Sequence, residues 1–181
     1  MFARRCKLEE MPDAEAAVAI VRARTPEDAL LFIRRAERVG DPWSGHWSFP
    51  GGRRDAVDHN LLETALRELA EECGIVLSAA NVAEELPPRP VGRRVGMSMM
   101  VAPFVFNVEH ALPSRLDERE AVEAVWIPVR VLRDESRHTR QSAPGMPAEM
   151  LFPALDLNGV PLWGFTYQLV TDWLEIPRKN P

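Results

Sequence analysis

The stretch of sequence that most constrains this chain runs from Gly51 to Ile75 and reads GGRRDAVDHNLLETALRELAEECGI. Its second half favours a helix, on which Glu68 and Glu72 lie within about 40° of each other and Glu71 lies about 60° to the other side. Three carboxylates therefore share one stripe of the helix, which we expect to be exposed. A separate apolar face can pack on a core; it carries Leu62, Ala65, Leu66, Leu69, Ala70 and Cys73.

This acidic stripe indicates a cation site. Like charges three and four residues apart destabilise an isolated helix by roughly 0.2–0.5 kcal/mol per pair, so we expect positive charge to compensate them. Mg²⁺ prefers oxygen ligands and binds one or two carboxylates together with substrate phosphates. Glu63 projects from the far side of the helix, and we expect it to pair with Arg67. A solvated glutamate-rich face is the alternative, but Gly51 and Gly52 before the stripe and Gly74 after it favour the metal site.

The same residues carry a resemblance to the Nudix hydrolases. That family is marked by glycine, five residues, glutamate, seven residues, and then Arg-Glu-apolar-any-Glu-Glu-any-Gly-apolar. The segment from Arg67 to Ile75 matches at every fixed position. The front half departs twice: Asp58 stands where glutamate is usual, and eight residues rather than seven separate Asp58 from Arg67.

The longer spacing resembles the coenzyme A pyrophosphatase branch of the family. This chain also keeps Gly45 and the sequence Phe49-Pro50-Gly51-Gly52 at the spacing of that branch. It departs further upstream, where Asp41 stands in place of an expected arginine and the expected threonines are missing after Leu30-Leu31. A coenzyme A-like compound, a nucleotide sugar and a dinucleotide therefore all stay open as substrates.

The resemblance implies a metal site and a catalytic role for the helix. One or more Mg²⁺ ions, for which Mn²⁺ can substitute, would bind the carbonyl of Gly51 and the side chains of Glu68, Glu71 and Glu72. Arg67 would support these glutamates, and by geometry it could also contact Asp58. We therefore count Arg67, Glu68 and Glu71 among the catalytic residues.

A general base completes the predicted catalytic set. In Nudix branches the base comes either from the helix or from a later loop, where Glu118, Glu120 and Glu123 are the candidates. We favour Glu120 and expect the other two to be surface residues. For substrate phosphates we favour Arg53, because guanidinium groups bind phosphate oxygens in pairs. Other arginines are candidates of lower rank: Arg54, Arg89, Arg93 and Arg94.

The rest of the chain favours an α+β class, with strands outnumbering helices. The segments 16–22 and 29–35 are predicted antiparallel strands, joined by a turn at Pro26. Further strands are predicted at 97–108 and 121–129, with a hairpin of 150–157 and 160–163 around Asn158-Gly159. Helices are predicted at 61–73 and 166–174, a short strand at Trp47–Phe49, a loop or irregular edge segment at 84–96, and an irregular segment at 130–148. The longer segment is either a lid or a disordered insertion.

These elements suggest an α/β/α sandwich around a mixed β-sheet, which is also the Nudix fold that the resemblance implies. Residues 1–13 form a predicted N-terminal arm, and 14–181 a single Nudix domain. With a net charge of −5, we expect no nucleic acid partner. We expect no membrane span, because the early apolar run of 16–21 is short. Cytoplasmic residence, a small nucleoside diphosphate substrate and a homodimer are compatible with the sequence.

Three functional hypotheses follow. The first is a Mg²⁺-dependent pyrophosphohydrolase acting on a nucleoside diphosphate derivative. The second is a catalytically silent Nudix-fold module that binds or senses a nucleotide, although such modules often lose a metal glutamate and this chain keeps all three. The third is an enzyme that processes RNA ends, which the acidic charge and the lack of a basic tail disfavour.

Overall fold

The computed structural model describes residues 14–41, 43–92, 99–143, 146–157 and 159–177. Its larger sheet contains β1 (Ala14–Thr25), β2 (Ala29–Arg35), β3 (Trp47–Ser48), β4 (Gly51–Arg53), β5 (Val82–Glu85), β6 (Arg89–Val91), β7 (Met99–His110) and β8 (Ala121–Pro128). A smaller sheet contains β9 (His138–Gln141), β10 (Phe152–Leu157) and β11 (Val160–Trp163). The helices are α1 (Leu61–Cys73), α2 (Val129–Leu132) and α3 (Gly164–Trp173).

The larger sheet is mixed, as predicted. Its central order is β3-β2-β1-β7-β5, with β1 and β7 parallel and the other pairs antiparallel. Along one edge, β1 changes its partner: Val18 lies opposite Gly51 of β4, whereas Arg22 lies opposite Leu30 of β2. β2 therefore separates from β1 after a short pairing, and β4 takes its place beside the first half of β1.

Two apolar cores cover the two faces of this sheet. Because successive strand residues face opposite sides, Ala19 belongs to one core and Ile20 to the other. On the first face lie Ala65 and Leu69 of α1, and on the second lie α3, β10 and β11. The arrangement confirms the predicted α+β class and the α/β/α layering.

The ends of α1 confirm its predicted bounds. Its N-cap is Asn60, whose side chain accepts a hydrogen bond of 3.0 Å from the amide of Glu63. Its C-cap is Gly74, which has a φ of 66° and donates its amide to the carbonyl of Ala70 over 2.9 Å. These caps fix where the three glutamates lie relative to the sheet.

The prediction of an irregular segment at 130–148 is wrong for most of its length. It contains the end of α2, a 3₁₀ turn at Glu135–Arg137 and the strand β9, in which Thr139 lies opposite Ala154 of β10. The segment at 84–96, predicted as a loop or an irregular edge segment, holds the end of β5 and the short strand β6, which pairs with β7. The predicted arm of residues 1–13, Arg93 and Arg94 lie outside the described residues.

Gly51 and Gly52 form β4 rather than a turn. A side chain at Gly51 would not fit there, since a Cβ atom would lie 2.4 Å from the carbonyl oxygen of Ala17 and 2.7 Å from the Cα of Val18. The glycine pair is therefore required by the close approach of two strands. Among the described helices, none combines the length and the apolar character needed to cross a membrane.

Candidate active site

A cavity of about 500 Å³ lies where α1, β4, the end of β2 and the turn before β8 meet. Five carboxylates and two guanidinium groups line it, so its wall is strongly polar and acidic. Its lining residues are Arg35, Gly51, Gly52, Glu68, Glu71, Glu72, Asp117, Arg119 and Glu120. The cavity therefore contains every predicted site residue except Arg53 and Arg67. Each of these two is adjacent in sequence to a lining residue, Arg53 to Gly52 and Arg67 to Glu68.

Glu72 is buried at the base of this site, with only 2% of its surface exposed. One carboxylate oxygen accepts a hydrogen bond of 2.8 Å from the amide of Gly51, and the other lies 3.9 Å from Nη1 of Arg35. Desolvation raises the pKa of Glu72 to about 8, despite the opposing effects of that amide and of Arg35. The prediction of an exposed stripe is therefore wrong for Glu72, because β4 lies against this part of α1.

Glu68 lies one turn earlier on α1 and is in close contact with β4. A Cβ atom at Gly52 would lie 2.4 Å from Oε1 of Glu68, so the absence of a side chain at Gly52 leaves room for this carboxylate. Desolvation raises the pKa of Glu68; the hydrogen bond and charge of Arg67 oppose this, and the charges of Glu71 and Glu120 add to it. Two neighbouring carboxylates of the helix thus have reduced acidity.

Arg67 holds the acidic groups around the site together. Its guanidinium donates to the buried carboxylate of Asp58 from Nη2 over 2.9 Å and from Nε over 3.0 Å. Nη1 lies 2.9 Å from both Glu68 and Glu71, and Nη2 donates to the carbonyl of Arg53 over 3.1 Å. The hydrogen bonds from Arg67 lower the pKa of Asp58 to about 2. The predicted contact between Arg67 and Asp58 is confirmed.

The predicted pairing of Glu63 with Arg67 is wrong. The Glu63 carboxylate instead contacts the amide and Nδ1 of His59, each at 2.8 Å. Glu63 belongs to the first turn of α1, and its contact with His59 lies at the N-terminus of that helix. Arg67 is instead directed toward Asp58.

Glu120 lines the cavity, and neither of the other two loop candidates does. Its carboxylate lies 2.8 Å from Nη2 of Arg38. Glu123 pairs instead with Arg34 at 3.2 Å, and Glu118 lies outside the cavity wall. Glu120 is thus the loop carboxylate best placed for the predicted role of general base, which stays a prediction.

Two arginines of the cavity wall were missed by the sequence reasoning. Arg35, at the end of β2, contacts Asp41 at 3.0 Å, and its Nε is buried without a hydrogen-bond partner among the described residues. Arg119 lies in the turn before β8 and pairs with Asp117 at 2.6 Å. Arg53, the predicted phosphate contact, does not line the cavity. The pairing of β2 with β8 is the information that identifies Arg35, because it places Arg35 opposite Ala121, the residue after Glu120.

The model of the NUDIX domain matches residues 13–148, which is most of the chain. The chain belongs to the Nudix family. The predicted resemblance is therefore confirmed at the level of the family.

Relatives of this Nudix protein include members without an assigned substrate. An uncharacterised Nudix hydrolase, NudL of Salmonella paratyphi B, is 37% identical over 118 residues, or 65% of this chain and 58% of that protein. An uncharacterised protein of Schizosaccharomyces pombe is 33% identical over 129 residues, or 64% of this chain and 39% of that protein. The chain thus spans between about two fifths and three fifths of the length of these curated relatives.

Solved structures support the same fold. The NUDIX domain of Shewanella oneidensis NrtR, crystallised with ADP ribose, superposes with a TM-score of 0.62 over 90% of this chain and 87% of that domain, at 18% identity. At this level of identity the similarity concerns the fold alone. The Nudix fold is therefore established for this chain by the family match and by the superposition.

The side chains of the cavity fit a hard divalent cation in their chemistry. The five carboxylates offer oxygen ligands, and ionisation of the buried Glu72 would leave a charge that one amide and one distant guanidinium compensate only in part. Within the described ranges, no three carboxylate, imidazole or thiol groups converge on one point. Glu68 and Glu71 instead share Nη1 of Arg67.

Proposed function

We propose that this Nudix protein is a divalent-metal-dependent hydrolase that cleaves the pyrophosphate linkage of a nucleoside diphosphate derivative. The observation that carries this proposal is the buried carboxylate of Glu72 beside Glu68, in a cavity that also contains guanidinium groups. Burying a carboxylate without a full counter-charge is costly, and a cation would offset that cost. The similarity to proteins described as Nudix hydrolases supports the same activity.

In this proposal, Glu68, Glu71, Glu72 and the carbonyl of Gly51 hold Mg²⁺. When bound, Mg²⁺ neutralises charge on the phosphate oxygens and lowers the pKa of a water molecule. Arg67 keeps Glu68 and Glu71 on the cavity side of α1 through contacts of 2.9 Å. Mn²⁺ offers a similar preference for oxygen ligands and would replace Mg²⁺.

The reaction is a displacement at phosphorus. The oxygen of water attacks one phosphorus atom while the bond from that atom to the bridging oxygen breaks, and the bridging oxygen leaves with the second phosphate. The proton lost by water goes to a carboxylate acting as general base. We assign this role to Glu120, because it lines the cavity from a different element than the proposed metal ligands. A carboxylate of α1 is the alternative.

Arg35 and Arg119 are the groups we propose for binding the substrate phosphates. Both line the cavity, and guanidinium groups bind phosphate oxygens in pairs. Arg53 remains a predicted contact for a part of the substrate that extends beyond the cavity. A volume of about 500 Å³ is typical of a small-molecule site. Coenzyme A, a nucleotide sugar and a dinucleotide share the diphosphate that this site would hold.

The test is product formation from a panel of coenzyme A, ADP-ribose, UDP-glucose and a dinucleoside polyphosphate, each with Mg²⁺, Mn²⁺ or EDTA. We expect cleavage of at least one compound with a metal and none with EDTA. Adenosine 3',5'-bisphosphate from coenzyme A would identify the branch. Since a bound metal contributes several kcal/mol, Glu68→Gln should reduce turnover by more than about 100-fold.

A matched control is Glu63→Gln on the same helix, whose carboxylate contacts His59 and not the cavity. It should retain turnover close to that of the wild type. Calorimetric binding of a panel compound without any cleavage would instead support a silent nucleotide-binding module. Neither binding nor cleavage of any compound would contradict the proposed function.

A further inference from the structure

Arg38 reaches from the loop after β2 to the turn that carries Glu120. Its Nε donates to the carbonyl of Arg119 over 3.0 Å, and its Nη2 contacts both that carbonyl and the Glu120 carboxylate, the latter at 2.8 Å. One guanidinium therefore binds the backbone of the turn and the side chain at the end of it. A planar group with several fixed donors suits this combined contact, and an ammonium group does not.

The position of Arg38 is itself fixed by its loop. Its amide donates to Oγ of Ser44 over 2.6 Å, and the same Oγ contacts the Arg38 carbonyl at 3.0 Å. Two residues earlier, the amide of Ala36 donates to the carbonyl of Glu120 over 2.9 Å. Successive carbonyls of the turn, at Arg119 and Glu120, are thus held by the same short loop.

The electrostatics of the cavity indicate a role for the contact between Arg38 and Glu120. Glu120 shares the cavity wall with four other carboxylates, those of Glu68, Glu71, Glu72 and Asp117, whose negative charges repel its own. This mutual repulsion would turn the Glu120 side chain away from the cavity unless a nearby cation opposed it. Arg38 is a cation in direct contact with the Glu120 carboxylate.

We infer that Arg38 is a positioning residue, which holds the Glu120 carboxylate at the cavity for its part in the reaction. The inference rests on the proposed function, in which Glu120 takes the proton from water. More than a third of each side chain is exposed, so the pair contributes little to stability and its loss should leave the protein folded. The effect should therefore fall on turnover and on the order of the turn.

A double-mutant cycle tests this inference. Arg38→Ala should reduce kcat by about tenfold or more at nearly constant KM, which corresponds to about 1.4 kcal/mol in the activation barrier. In a Glu120→Gln background the same substitution should have little further effect, because residues that act through one another are not additive. Arg38→Lys should restore only part of the rate. The control is Arg130→Ala, another ion-paired surface arginine, which contacts Glu27.

Hydrogen exchange provides a readout that needs no turnover. The amides of Glu120 and Ala121 donate to the carbonyl of Asp117 over 2.8 and 2.9 Å, and they should exchange faster in Arg38→Ala and remain unchanged in Arg130→Ala. Unchanged exchange, or fully additive losses in the cycle, would overturn the inference. A wild type that cleaves no compound would contradict the proposed function, and the exchange result would then decide on Arg38 alone.

Discussion

The amide of Gly51 in β4 donates a 2.8 Å hydrogen bond to the carboxylate of Glu72, which lies on α1 and is almost fully buried. This contact joins the two halves of the family motif, since the glycine pair and the last glutamate are 21 residues apart. It satisfies one oxygen of a carboxylate that desolvation makes unusually basic. The stability of the protein should therefore depend on the ionisation of Glu72.

The first prediction concerns this ionisation in the absence of metal. The pKa of Glu72 is raised from 4.5 to about 8, so the folded state keeps a proton that the unfolded state has released between these values. Stability should fall as pH rises from about 4.5 to 8, by an amount on the order of a few kcal/mol. Glu72→Gln should remove this dependence and give a more stable protein at pH 8 in EDTA.

Urea denaturation at pH 5 and pH 8 gives the free energy of unfolding of the wild type and of Glu72→Gln. The effect is the difference between the two proteins in how much this free energy changes with pH. The control is Glu71→Gln, because the Glu71 side chain is more than half exposed. Added Mg²⁺ should stabilise the wild type at pH 8 and not Glu72→Gln. Parallel stability curves of the wild type and Glu72→Gln would show that the burial of Glu72 carries no such cost.

The second prediction concerns the ion pair between the buried Asp58 and the partly exposed Arg67. Hydrogen bonds from Arg67 lower the pKa of Asp58 from 3.8 to about 2, so the pair stabilises the folded state above pH 4 and loses this contribution as pH falls through 2. Asp58→Asn should therefore cost about 2–3 kcal/mol at pH 7, and the cost should shrink on acidification. Denaturation between pH 2 and 7 measures both.

Asp55→Asn is the matched control for Asp58→Asn. The Asp55 carboxylate accepts only a local hydrogen bond of 3.2 Å from the amide of Val57, at the exposed start of the same loop. We expect its substitution to cost less than about 1 kcal/mol. Equal costs for the two variants would contradict the central role of Arg67.

The third prediction separates the roles of the two glycines. Gly52→Ala places a methyl group against the far end of the Glu68 side chain, which can move, so stability should change by less than about 1 kcal/mol while turnover falls. Gly51→Ala places it against the backbone of β1, so it should destabilise the protein by about 1–3 kcal/mol or more. Thermal denaturation and turnover with increasing Mg²⁺ compare the two. A stable and fully active Gly51→Ala would refute this assignment.

A feature of this site can be predicted from the sequence when it depends on residues that are close together in the chain. The bounds of α1 were predictable because Asn60 and Gly74 act within one turn of the helix. The burial of Glu72 was not, because it depends on β4 and on the separation of β1 from β2. Arg35 was missed for the same reason, since its neighbours Glu72 and Glu120 are distant in sequence.

The strand β9 shows a second limit of the sequence. Its four residues, His138 to Gln141, all have polar side chains and carry no apolar alternation, so the segment favours a loop. Pairing with β10 makes it a strand, and the His138 ring is held by the hydroxyl of Tyr167 at 2.9 Å and the carbonyl of Leu132 at 2.8 Å. Tertiary contacts override the local pattern here.

The fourth prediction concerns Asp41, which stands where the coenzyme A branch has an arginine. Asp41 contacts Nη2 of Arg35 at 3.0 Å, while Nη1 of Arg35 lies 3.9 Å from Glu72. In Asp41→Asn, Arg35 should move closer to Glu72 and compete with the cation. We expect Mn²⁺ affinity, measured by calorimetry, to fall by about tenfold.

The control for Asp41→Asn is Asp28→Asn, which removes a comparable contact with Arg22 outside the cavity wall. Its Mn²⁺ affinity should equal that of the wild type. If Asp41→Asn also bound Mn²⁺ as tightly as the wild type, Asp41 would not restrain Arg35 in the way its contacts suggest.

The change of strand partner along β1, from β4 to β2, affects how the substrate selectivity of such a protein can change. Because β2 leaves β1 early and β4 replaces it, the segment that follows β2 is outside the ladder between β1 and β2, and its Arg38 contacts Glu120 of the cavity wall. Insertions or exchanges in this segment can thus change which molecules are accepted, while the scaffold and the acidic helix stay as they are. Loop transplantation at this position is a direct route to altered selectivity.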